Sequence, residues 1–128
     1  MFSIDPMARK PVYEQIIEQT ERFLLTGTLS PGDQLPSVRS LSLELAINPN
    51  TILKAYGDLD SRGIIRSVPG KGYFVCEEAK DILGAGYRRK LTAFRQAVGE
   101  MALAGIDKDE ILSIVEEIYR TNTKGDQT

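Results

Sequence analysis

Side chains that suit a protein interior recur at helical spacing early in the chain. Tyr13, Ile16, Ile17, Thr20, Phe23 and Leu24 fall on one stripe, with Glu14, Gln15, Glu18 and Glu21 between them. This predicts an amphipathic helix with those four polar residues facing away. Pro11 suits its first turn, where a missing N–H costs nothing, and Gly27 suits its end. Residues 1–10 read as an irregular lead-in, and Leu29-Ser30-Pro31-Gly32-Asp33 as a loop with a turn signal.

Two short helices follow. Ser37 is placed to cap a helix from Val38 to about Ala46, with Val38, Leu41 and Leu45 inward. Asn48-Pro49 opens the next, Asn as cap and Pro at the first helical position; Ile52, Ala55, Tyr56 and Leu59 form its inner stripe and Gly63 closes it. So short a link forces a steep crossing, the geometry of a helix-turn-helix. Ile65–Val68 and Tyr73–Cys76 are β-rich and flank Pro69-Gly70-Lys71-Gly72, where Pro-Gly fits the centre of a type II turn. Helix, helix, helix, hairpin is the order of a winged helix.

From about Ala79 the pattern is helical again. Tyr87, Leu91, Phe94, Val98 and Met101 are spaced four, three, four and three apart, an apolar seam suited to pairing helices. Gly84, Gly86 and Gly99 weaken this helix, which predicts a bend or a late start near Tyr87. Asp107 and Glu110 read as a capping pair for a last helix carrying Ile111, Ile114, Val115 and Ile118. The expected fold is mainly α with a small β-hairpin: a winged helix-turn-helix over residues 10–78, a two-helix dimerisation region over 79–121, and a frayed polar tail over 122–128.

Composition narrows the function. At 128 residues, 41% hydrophobic and 27% charged, the chain is an ordinary globular domain with at most a small appendage. No run reaches the 18 apolar residues of a membrane span, and Met1–Lys10 lacks the apolar stretch of a signal peptide. The expectation is a cytoplasmic protein without a membrane partner. Cys76 stands alone and histidine is absent, which removes paired-cysteine metal sites, the commonest metal ligand and the commonest general base. Asp58, Asp60, Glu77 and Glu78 would have to serve as acid and base, and they read as ordinary surface carboxylates. No catalytic residue, metal or cofactor is expected. Net charge is −2, yet residues 34–73 hold five basic residues against three acidic ones, a mildly basic middle between acidic ends.

The sharpest chemistry lies at the start of the third helix. Asn48, Asn50, Thr51 and Lys54 bring amides, a hydroxyl and an ammonium to a helix N-terminus whose free N–H groups favour phosphate. Asn can pair with adenine, and Thr can meet phosphate or a thymine methyl. The plainer alternative is that Asn48 only caps and the others are solvated. Arg39, at the exposed start of the preceding helix beside the candidate contact Ser37, holds a position that meets backbone or a groove edge in such folds; the plainer alternative is a surface arginine. Gly70 and Lys71 at the hairpin tip can offer N–H groups and one ammonium to DNA; alone, that tetrapeptide is only a turn.

Their conjunction is more specific than any one of them. Pro11-Val12-Tyr13-Glu14-Gln15-Ile16, Gly27 through Arg39, Asn48-Pro49-Asn50-Thr51, Lys54-Ala55-Tyr56, Leu59, Gly63-Ile64-Ile65 and Gly70 through Val75 together resemble the N-terminal domain of GntR-family regulators. The resemblance covers roughly residues 10–76, and the Asn-Pro-Asn-Thr helix start and short C-terminal extension are similar to the YtrA branch. It implies a homodimeric repressor on a two-fold DNA operator, dimerised by its C-terminal helices, of a branch often found beside transporter genes. It also implies DNA contacts at Arg39, Asn48, Asn50, Thr51 and Gly70. Two positions depart from the family: Pro49 stands where relatives have Arg, and Leu53 stands where many have Arg, with Lys54 next. Which of Leu53 and Lys54 replaces that basic contact is open at this level. The competing reading is a winged helix used only for protein contact, which needs no polar recognition-helix start and no lysine on its wing. No small-molecule effector is named by the sequence, and the segment after the wing leaves little room for a cavity of ~300 Å³.

Overall fold

A computed structural model describes residues 1–126, with side chains described through Asn122. The elements are α1 (Val12–Thr26), α2 (Val38–Leu45), α3 (Pro49–Ser61), β1 (Ile65–Val68), β2 (Gly72–Val75), α4 (Ala79–Leu103) and α5 (Lys108–Asp126). They form two compact units, residues 1–85 and the segment from Gly86 onward.

The first unit is built around α3. Its inner stripe Ile52, Ala55, Tyr56 and Leu59 is fully buried and packs with Ile16 and Leu24 of α1 and Leu41 of α2. Ser37 caps α2 by accepting the Ser40 N–H at 3.0 Å, and Asn48 Oδ1 caps α3 by accepting the Asn50 N–H at 2.8 Å. The turn between these helices is closed by Ser42. Its carbonyl accepts the Ile47 N–H, and its hydroxyl donates to the Ile47 carbonyl at 2.6 Å. Ala46 in this turn has φ 56°, the single non-glycine residue with positive φ among the described residues. At its far end α3 is closed by Ile64 N–H to the Leu59 carbonyl and Gly63 N–H to the Asp60 carbonyl.

β1 and β2 pair antiparallel, Ile65 opposite Val75 and Val68 opposite Gly72. The Lys71 N–H donates to the Val68 carbonyl at 2.9 Å, and Gly70 at φ 77° takes the left-handed place of a type II turn. The fold is the winged helix-turn-helix expected from the pattern.

Several local expectations are corrected. Pro11 sits one place earlier than expected, as the N-cap residue of α1, its carbonyl accepting the Gln15 N–H. Gln15, expected to face away, is 8% exposed. Its side chain accepts the Asp5 N–H and donates to the carbonyls of Asp5 and Lys10. With Gln19 bonded to Ser3 and Phe2 buried edge-on against Phe23, it ties the lead-in to α1, so buried polar atoms are satisfied by backbone. The loop after α1 adds a third edge to the wing: Leu35 N–H donates to the Tyr73 carbonyl and Val75 N–H to the Asp33 carbonyl, each at 2.9 Å. The glycines of α4 do not delay its start to Tyr87. It runs unbroken from Ala79, because Ala79 and Leu83 are buried in the first unit and packing outweighs propensity.

In the second unit the rest of α4 is followed by α5 after a short link through Gly105. The Asp107 carbonyl accepts the Glu110 and Ile111 N–H groups, while no capping bond from its side chain is present among the described residues. The expected tail, residues 122–128, overlaps the end of α5, and Gln127 and Thr128 lie outside the described residues.

Candidate nucleic-acid interface

Three exposed ends carry the polar chemistry: the start of α2, the start of α3 and the wing tip. They are joined by one four-residue segment, Gln34 to Ser37. The Gln34 amide donates to the Lys71 carbonyl at 2.8 Å and so holds the wing tip. Gly72 makes that approach possible, since a Cβ there would lie 2.9 Å from the Gln34 amide nitrogen. The Pro36 carbonyl accepts the Tyr56 hydroxyl at 2.7 Å, which fixes α3 to the same segment. Ser37 then caps α2. Tyr56 is fully buried with its ring 4.9 Å from that of Tyr73, and burial, with Tyr73 adding, pushes its phenol well above the usual range. It therefore remains a donor at any ordinary pH.

Ser37, Arg39, Asn48, Asn50, Lys54, Gly70 and Lys71 are exposed, and Thr51 is half-buried. The side-chain oxygen of Asn48 is committed to its cap, and neither its amide N–H groups nor the Asn50 side chain makes a bond among the described residues. Lys54 does not project freely. Its ammonium lies 3.9 Å from the centre of the Tyr13 ring on α1, a cation–π contact. Arg62, at the end of α3, is paired with Glu21 and Asp58. Partial burial opposes its charge, and the two carboxylates outweigh that and raise its pKa. Of the five cations in residues 34–73, Arg39, Arg66 and Lys71 have neither an ion pair nor an aromatic partner among the described residues. Arg66, exposed on β1, counts in the sequence only toward the basic middle of the chain and is not among the expected DNA contacts. Its alternation with buried Ile65 on a wing strand was the available signal.

The second unit carries apolar side chains left in solvent. Leu91 is 46% exposed and Phe94 51%, with Tyr87 beside them on α4, and Ile114 and Ile118 of α5 are similarly open. Val98, Met101, Ile111 and Val115 are half-buried, so the α5 stripe divides into an inner and an outer edge. Leu103, Leu112 and Tyr119 add exposed surface that the seam pattern did not include.

Capped, outward-facing helix starts on a helix-turn-helix, braced to a hairpin wing, define a winged-helix DNA-binding transcription regulator. The family profile described as bacterial regulatory proteins, gntR family, matches residues 12–75. The chain belongs to the GntR family of transcription regulators, and its class is that of DNA-binding regulators, not enzymes. It is 38% identical over 122 residues to the HTH-type transcriptional repressor YtrA of Bacillus subtilis, covering 92% of each chain. A crystal structure of a transcriptional regulator from Oenococcus oeni superposes with a TM-score of 0.71 at 34% identity, covering 92% of this chain and 98% of that one. The DNA-binding domain of AraR in complex with operator ORX1 is similar over 59% of this chain and 93% of its own, with a TM-score of 0.52 and 31% identity. Among the described residues no helix is long and apolar enough to cross a membrane.

Proposed function

We propose that the chain acts in the cytoplasm as a homodimeric repressor on a two-fold symmetric DNA operator. The observation that carries the DNA half of this reading is the segment Gln34–Ser37, which braces α2, α3 and the wing as one rigid reader. Asn50 pairs with adenine through its free amide, and Thr51 and the Asn48 amide meet the neighbouring backbone or base edge. Ser37, Arg39, Gly70 and Lys71 hold phosphates on either side. Lys54, turned to Tyr13, adds positive field without reading a base. The similarity to the repressor YtrA supports repression, and the resemblance of the sequence to the YtrA branch implies transporter genes as targets. The sequence and structure name no effector.

The dimer is assigned to α4 and α5. Their apolar side chains are too exposed for a lone chain, and a two-fold partner covers the same patch on both copies. Burying a Leu or Phe contributes roughly 1.5–3 kcal/mol. Replacing Leu91 and Phe94 with Asp should therefore remove several such terms and strand charge at the contact. Sedimentation of the double variant should show a monomer at micromolar concentration, with operator affinity reduced to that of one half-site. A variant that remains dimeric would place the dimer elsewhere.

A further inference from the structure

We propose that Leu53 reads a thymine methyl group in the major groove, which makes an A·T pair the preferred neighbour of the base met by Asn50. The inference rests on the DNA-reading role proposed above and names its specificity.

Leu53 is 46% exposed on α3, three residues after Asn50 and four after Pro49, so all three share the outward face. Pro49, Leu53 and Gly57 form a single row at spacings of four. No side chain of this row can donate or accept a hydrogen bond, and the space around Gly57 is open. The cation adjacent to it is withdrawn, Lys54 onto Tyr13, and Arg62 beyond the helix end is held by Glu21 and Asp58. The face entering a groove therefore offers the Asn50 amide and, beside it, a branched aliphatic side chain. Guanine presents two acceptors in the major groove, and Leu53 would cover them without a donor; thymine presents a methyl group that an aliphatic side chain matches.

The test begins with a randomised duplex library selected by the full chain. In the enriched duplex each thymine is then replaced singly by deoxyuridine, which removes only the methyl group. One position per half-site should weaken binding about fourfold, the value of one buried methyl. That penalty should vanish in Leu53→Ala, whose fold is checked by circular dichroism and whose exposed position tolerates truncation. Leu53→Arg should shift the selected base at that position toward guanine. Deoxyuridine tolerated everywhere, or a penalty that persists in Leu53→Ala, would overturn the assignment while leaving operator recognition intact. A library that yields no enriched sequence would overturn both the assignment and the reading beneath it.

Discussion

Replacing Tyr56 with Phe isolates the bond that ties the recognition helix to the rest of the reader. The ring stays, with its contact to Tyr73, and only the hydroxyl that donates to the Pro36 carbonyl at 2.7 Å is lost. Tyr56 is fully buried and that carbonyl partly so, which gives an expected cost of about 1–2 kcal/mol at neutral pH. The pH dependence gives a second handle. Burial raises the Tyr56 pKa in the folded chain, so its neutral form contributes stability that is full below the unfolded value of about 10 and is lost as pH rises toward the folded value. Phe has no proton to lose. The gap between the wild-type chain and Tyr56→Phe should thus narrow above pH 10, by on the order of 1 kcal/mol at pH 11. Urea denaturation followed by circular dichroism at the two pH values measures both quantities. A gap under about 0.5 kcal/mol at neutral pH would refute the role given to this bond, and curves that stay parallel through pH 11 would refute the burial of its phenol.

Three further outcomes are expected. Ala46→Gly relieves a left-handed backbone that costs an L-residue about 1–2 kcal/mol and returns part of that as chain entropy, so thermal denaturation should show a net gain of about 0.5–1 kcal/mol. Asn50→Ala should cost roughly 1–3 kcal/mol on the operator and relax preference at one base position, whereas Lys71→Ala should weaken all sequences alike; competition with single-base operator variants separates the two. Gln34→Met removes the donor that holds the Lys71 carbonyl, so the wing-tip amides should exchange faster with deuterium while those of α3 do not change.

The parts of the fold legible in the chain were those set by neighbours in sequence. The Asn48-Pro49 helix start, the Pro69-Gly70 turn and the inner stripe of α3 are local devices, and each stands where its residues put it. What the pattern did not reveal depends on partners far along the chain. Gln15 looked like a surface residue because its partners, Asp5 and Lys10, are irregular backbone with no periodicity. Gln34 gave no sign of its bond to Lys71, 37 residues away. Lys54 looked like a free cation until Tyr13 of α1 was brought beneath it. The glycines of α4 pointed to a weak helix, and the burial of Ala79 and Leu83 overrode them.

The central claim, that two copies read one operator through a sparse set of cations, is tested most directly by titrating a fluorescent operator duplex at several salt concentrations. With stoichiometry measured in parallel, the account predicts two chains per duplex. If the dimer neutralises roughly six phosphates, the logarithm of the binding constant should fall with the logarithm of salt with a slope of about −5. One chain per duplex at full affinity, or a binding constant indifferent to salt, would contradict it.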